Sequence, residues 1–222
     1  MTANATRAST ILRGLGRRAC LQAAGLAVGT LCALAVQAQG TTAPEAPASS
    51  APPAAPVASH KVRLATSMGD ITLELYKDKA PKTVDNFVQY VKAGQYDGTI
   101  FHRVIPNFMI QGGGMKADFS EKATRAPIPL ESRSGLSNVK GSVAMARTNN
   151  PNSATAQFFI NVNDNTFLDQ PNARDGEGYA VFGKVIAGMD VVEKIKEVQT
   201  QAKGPHQNVP VQAVLIKKAT LE

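Results

Sequence analysis

The sequence predicts a mainly β domain with two helices, preceded by two segments that do not belong to a fold. Three observations lead there. Short runs of alternating apolar and polar residues recur along most of the chain after position 60, the period of a half-buried strand. Only two stretches carry the helical period: Val84, Phe87, Val88 and Val91 in one, Val191, Val192, Ile195 and Val198 in the other. Residues 1–59 hold an apolar run and then a Pro-rich run, and neither supplies the mixed pattern of a packed domain.

Residues 1–38 contain Arg7, Arg13, Arg17 and Arg18 and no acidic residue, followed within them by an apolar run over 19–36. Val36-Gln37-Ala38 places small residues at −3 and −1 of a cleavage site. This is the layout of a bacterial export signal cut after Ala38, and the periplasm is the expected location. The run is short for a hydrocarbon core of about 30 Å and is interrupted by Gln22, Gly25, Gly29 and Thr30. Cleavage is therefore favoured over a retained anchor, and no stable membrane insertion is expected afterwards. Arg17-Arg18-Ala19-Cys20-Leu21 resembles a twin-arginine signal, with Cys20 in place of the usual aromatic, so a plain secretory signal suits the segment equally.

Both cysteines, Cys20 and Cys32, fall in that segment. The mature chain is left with no disulfide, no thiolate nucleophile and no cysteine-ligated metal. Losing the four arginines takes the formal charge from +7 to +3. The remaining lysines are scattered, without the basic stripe that nucleic-acid binding requires. Residues 39–59, with Pro44, Pro47, Pro52, Pro53 and Pro56, read as an Ala/Pro-rich disordered linker. Residues 60–222 remain as one domain, long enough for a single core.

Within that domain, 61–66 and 71–76 alternate on either side of Ser67-Met68-Gly69-Asp70 and read as a hairpin. Pro81 suits the first turn of a helix, and Gly94 its stop. Strand patterns follow at 99–104, 108–111, 141–147, 157–162 and 179–186, with a long polar loop over 113–140. Asp190 and Glu193 have the spacing of a helix cap and its return partner, and 211–219 closes with alternation. Periodicity alone gives a β-rich domain with two helices.

Three blocks add a more specific reading. They are Phe101-His102-Arg103-Val104-Ile105-Pro106-Asn107-Phe108-Met109-Ile110-Gln111-Gly112-Gly113; Ser142-Val143-Ala144-Met145-Ala146-Arg147 with Gln157-Phe158-Phe159-Ile160; and Tyr179-Ala180-Val181-Phe182-Gly183-Lys184-Val185. Together they resemble the cyclophilin family of peptidyl-prolyl isomerases, in its bacterial exported branch. The resemblance implies a closed eight-stranded antiparallel barrel capped by two α-helices, filled by side chains, with the substrate groove on its outer face. It also implies cofactor-independent isomerisation of Xaa-Pro bonds in unfolded, exported polypeptides.

The chemistry suits these residues. An amide resists rotation by about 18–20 kcal/mol because its nitrogen lone pair is delocalised. Before proline both isomers are populated and exchange slowly. A catalyst must favour the twisted amide with a fixed donor near the nitrogen, little water and a grip on the ring. Arg103 is the candidate donor, since a guanidinium stays charged and directs several N–H groups. Carried over by motif, Phe108, Met109, Phe159 and Leu168 line the proline pocket, and Gln111 bonds the peptide and steadies Arg103. Gln157 and the main chain of Ala146 and Arg147 line the groove, with Phe167 and Tyr179 beside the pocket. Phe158 and Phe159, as strand neighbours, are expected to face core and groove respectively.

Three positions depart from the family's common pattern. Phe167 replaces a tryptophan, so the pocket lacks an indole N–H and cyclosporin-type ligands should bind weakly. Tyr179 replaces a histidine. Arg147 replaces an asparagine and should put a positive charge at the groove rim. His102 adjoins Arg103, so it is expected to face away as a structural histidine. His60 and His206 fall in the tether and a late loop, and three such histidines do not form a metal site. The alternative is a non-catalytic proline-peptide-binding chaperone or adaptor, while a hydrolase would need an activated nucleophile that the chain does not display. A monomer is expected.

Overall fold

The computed structural model of the protein describes residues 60–222, so the expected export signal and linker lie outside the described residues. Ten strands and two helices follow in chain order: β1 (His60–Thr66), β2 (Gly69–Leu75), α1 (Pro81–Lys92), β3 (Thr99–Ile105), β4 (Met109–Lys116), β5 (Ser142–Met145), β6 (Phe158–Asn161), β7 (Val181–Ala187), α2 (Met189–Lys196), β8 (Thr200–Lys203), β9 (His206–Pro210) and β10 (Leu215–Leu221). Eight strands close an antiparallel barrel in the order β1-β10-β3-β4-β6-β5-β7-β2, and β8 and β9 form a separate hairpin.

Alternation builds the first hairpin. Val62, Leu64 and Thr66 of β1 and Ile71, Leu73 and Leu75 of β2 are buried, and their neighbours are not. Thr66 pairs with Gly69 across Ser67 and Met68. Helix α1 drives Phe87 into the core, where its ring lies 4.9 Å from Tyr96, 5.4 Å from Phe158 and 5.0 Å from Phe182. Helix α2 adds Val191, Val192 and Ile195 to the same cluster.

The start of α1 is secured from far along the chain. Pro81 opens the helix, as expected, and Ala80 offers no capping side chain. Glu131, in the 113–140 loop, accepts hydrogen bonds from the Lys82 N–H (3.1 Å), the Thr83 N–H (2.8 Å) and the Thr83 hydroxyl (2.7 Å). A carboxylate on the first-turn donors satisfies orphan N–H groups and complements the helix dipole, an effect of about 1 kcal/mol. The same contact pins a long loop to the barrel.

Two expectations need correcting. Asp190 does not cap α2. The cap position is Gly188, in the left-handed region at φ 81°, and a Cβ there would lie 2.1 Å from the Asp70 carbonyl oxygen. Asp190 sits in the first turn and pairs with Lys194, while Glu193 pairs with Lys140 and Lys196. The two histidines are also misplaced: His60 is not in the tether but begins β1, and His206 is not in a loop but begins β9, its ring stacked on Phe119 at 5.5 Å.

Strand β3 carries an irregularity that decides what faces the groove. Phe101 pairs with Gly112 and Arg103 with Gln111, so two residues advance on β3 for one on β4. His102 is the extra residue of this bulge. Simple alternation therefore does not set its direction, but it is buried, as expected, at 5% exposure. Burial, reinforced by the nearby charges of His206 and Arg103, lowers its pKa to about 4. The folded chain thus holds the ring neutral while the unfolded chain takes up a proton near the ordinary value. The stabilisation is complete above pH 6.5 and is lost as pH falls towards 4, the gap corresponding to about 3 kcal/mol. Urea unfolding at pH 7 and pH 4.5 should show wild type losing about 2–3 kcal/mol more stability than His102→Gln. Equal losses would show that the ring is not the source.

Candidate functional site

Strands β5 and β6 are buried at every position, which alternation with a solvated outer face does not allow. The reason is a second apolar cluster on the outside of the barrel. Phe158 and Ile160 point into the main core, while Phe159 belongs to the outer cluster with Met109, Ala144, Leu168 and Val181. Phe108, Ala146 and Tyr179 pack against it. Both faces of these strands are covered, one by the barrel interior and one by the segments that cross the outer face.

Register aligns the floor of this region. Arg103 pairs with Gln111, Gln111 with Phe159, Phe159 with Ala144, and Ala144 with Val181, a single row across β3, β4, β6, β5 and β7. A hollow of about 290 Å³ opens over the row, lined by Arg103, Phe108, Met109, Gln111, Ala146, Arg147, Phe159, Leu168 and Tyr179. Nine of the eleven residues named from the sequence thus meet at one pocket. Of the other two, Gln157 lies behind Gln111, and Phe167 stands outside the lining, 56% exposed, with its ring stacked on Phe108 at 5.7 Å.

Arg103 is held by a glutamine relay. Its Nη1 donates to Gln111 Oε1 at 3.3 Å, and Gln111 Nε2 donates to Gln157 Oε1 at 2.9 Å. The salt bridges among the described residues do not include Arg103. Its charge therefore faces the pocket without a carboxylate to neutralise it. The glycines of β4 make room for the relay on one side and for the core rings on the other. A Cβ on Gly114 would lie 2.5 Å from Gln157 Cγ, and one on Gly113, where φ is +86°, would strike the Tyr96 and Phe158 rings.

The wall of the pocket rests on polar residues that no motif in the sequence marks. Asn165 Nδ2 donates to the Phe108 carbonyl and to Asn161 Oδ1, both at 2.7 Å. Asn161 Nδ2 donates to Asn138 Oδ1 at 3.2 Å and to the Ser142 hydroxyl at 2.9 Å. Asn138 in turn donates from its N–H and its amide to Asp169 Oδ1, at 2.7 and 2.8 Å. The three asparagines are almost completely buried. Buried amides persist only when partnered, and these partners hold the Phe108 turn and the segment after Leu168. Asn161, directly after the apolar run Phe158-Phe159-Ile160, was the available signal, since asparagine is disfavoured in strands.

Arg147 also departs from expectation. Its side chain is only 2% exposed and is paired with Asp175, so no free positive charge stands at the rim. The guanidinium turns away under the 169–178 segment because carbonyl, carboxylate and aromatic partners await it there.

This architecture accords with known proteins. The family model for cyclophilin type peptidyl-prolyl cis-trans isomerases matches residues 61–221. A peptidyl-prolyl cis-trans isomerase of Acinetobacter baylyi is 59% identical over 160 residues, covering 72% of this chain and 84% of that protein. Peptidyl-prolyl cis-trans isomerase B of Escherichia coli is 53% identical over 157 residues, covering 70% and 96%. A crystal structure of a Cryptosporidium parvum cyclophilin, determined in the presence of the dipeptide Ala-Pro, superposes with a TM-score of 0.60 at 26% identity, covering 73% and 98%. The chain belongs to the cyclophilin-type peptidyl-prolyl cis-trans isomerases.

Proposed function

We propose that this isomerase accelerates rotation about Xaa-Pro bonds in newly exported, unfolded polypeptides, with Arg103 as its catalytic residue. The single observation that carries the reading is a guanidinium without an ion-pair partner among the described residues, fixed by Gln111 at the edge of an apolar hollow on Phe159 and Met109. The proline ring enters that hollow. Exclusion of water from it strengthens any charge interaction at its edge. As the bond twists, the nitrogen pyramidalises and its lone pair becomes an acceptor, which the planar amide does not offer. An N–H of Arg103 donates to that lone pair, so the interaction is made in the transition state and not in the ground state. No bond breaks and no proton transfers, so neither His102 nor a metal is needed.

A fixed charged donor at such a site supplies roughly 3–4 kcal/mol, or about two to three powers of ten in rate. Gln157 and the main chain of Ala146 and Arg147 flank the pocket and suit the peptide on either side of the proline. Phe167 gives stacking surface on Phe108 but no N–H, which supports weak binding of cyclosporin-type cyclic peptides. The mature protein acts as a monomer in the periplasm, the location supported by the Arg-rich, apolar segment ending at Val36-Gln37-Ala38.

A proline-isomerisation assay tests the catalytic assignment. Arg103→Ala should lower kcat/KM by about a hundredfold to a thousandfold with the cooperative unfolding transition retained. Full activity in that variant would remove Arg103 from the mechanism. For export, N-terminal sequencing of protein recovered from a bacterial periplasm should begin at Gln39. An intact Met1 terminus would contradict cleavage.

A further inference from the structure

The floor of the pocket is barrel strand, but one wall is not. Residues 169–178 return from the short 3-10 helix Thr166–Leu168 to β7 with no helix or strand of their own, and Tyr179 follows directly. The Arg147 side chain is what crosses behind this wall. Its Nε and Nη2 both donate to the Gly178 carbonyl, at 3.1 and 2.8 Å, and its Nη1 donates to the Thr148 carbonyl at 3.0 Å. Nη2 also donates to the Asp175 carboxylate. The guanidinium carbon lies 4.5 Å above the Tyr179 ring, in cation–π contact.

Asp175, Gly178 and Tyr179 are tied in turn to the pocket. Asp175 turns its other oxygen to the N–H groups of Glu177 (3.0 Å) and Gly178 (3.2 Å), shaping the wall from within. Gly178, at φ +71°, is folded so closely on the 3-10 helix that a Cβ would lie 2.8 Å from the Leu168 carbonyl oxygen. The Tyr179 N–H donates to that same carbonyl at 3.0 Å, and the Tyr179 ring meets Phe159 edge-on at 5.7 Å. A buried arginine is costly unless its donors are met. Nε and Nη2 are met by the wall and Nη1 by the Thr148 carbonyl, while the main chain of the same residue runs along the groove.

We propose that the Arg147–Asp175 ion pair is a latch that holds the 169–178 wall and Tyr179 against the pocket floor, making both of them positioning residues for peptide binding. Neither reaches the amide that twists. Asp175 remains ionised at any working pH, since the Arg147 hydrogen bond and the Glu177 N–H hold its carboxyl down at about 2. Because the wall grips planar and twisted peptide alike, the latch contributes uniform binding. Its loss raises KM and leaves kcat in place.

This inference rests on the pocket being the proline site, and the experiment separates the two. Steady-state isomerisation is measured on an Xaa-Pro peptide for wild type, Asp175→Asn, Asp175→Glu and Arg103→Ala. Asp175 is substantially exposed, so its variants should fold. The latch requires Asp175→Asn to raise KM about fivefold with kcat within about twofold, and Asp175→Glu, which keeps the charge, to restore most of the difference. If Asp175→Asn has wild-type constants while Arg103→Ala is inactive, the latch is wrong and the pocket stands. If Asp175→Asn lowers kcat at constant KM, or Asp175→Glu behaves like Asp175→Asn, the positioning role is overturned. If Arg103→Ala keeps full activity, the reading of the pocket fails and the latch fails with it.

Discussion

Two residues along a regular strand, a side chain returns to the same face. Phe101 and Arg103 are two apart, yet Phe101 fills the barrel beside Phe158 and Arg103 reaches the pocket outside it. One extra residue, His102, makes both possible by shifting the register between Phe101 and Arg103. Without that bulge, either the core would lose a large aromatic or the pocket its guanidinium. A bulge is a local loss of ladder pairing, and it occurs where a strand must re-aim a side chain. Here its cost includes a neutral histidine with Nδ1 buried and unpartnered among the described residues.

The rest of the site is built outward from that turn of the strand. Once Arg103 faces out, its partner in register is Gln111, and the next in the row is Phe159. The order donor, glutamine, aromatic floor is thus a consequence of strand pairing and needs no loop to create it. Rigid elements carry Arg103, and less regular segments carry the walls. Those walls are in turn restrained by buried polar contacts: the asparagine network behind Phe108 and the arginine behind Tyr179. Such contacts keep a hollow open that apolar side chains alone would tend to collapse.

Much of this was legible in the sequence, for identifiable reasons. The eight barrel strands alternate or carry the family blocks, and helix α1 shows its stripe, its Pro81 and its Gly94 plainly. The pocket residues were legible through resemblance, because no single phenylalanine or arginine declares its face. Hairpin β8–β9 was not legible, since every residue of β8 is exposed and 200–203 shows no apolar alternation. The Asp190–Glu193 spacing misled because Gly188, pressed against Asp70, already opens α2. Arg147 misled because a charged residue beside a groove is ordinarily solvated. Asp175, Gly178 and Tyr179, which hold it, are more than twenty residues away, and only tertiary structure brings them to it.

The proposed function requires an Xaa-Pro ring to sit on Phe159 with its amide nitrogen facing Arg103. Intermolecular nuclear Overhauser effects between a proline-containing peptide and the folded domain measure this directly. Contacts are expected from the proline ring protons to Phe159 and Met109, and from the residue junction at proline to the Arg103 guanidinium. A proline ring whose contacts fall elsewhere on the surface, with none to Phe159, would contradict it.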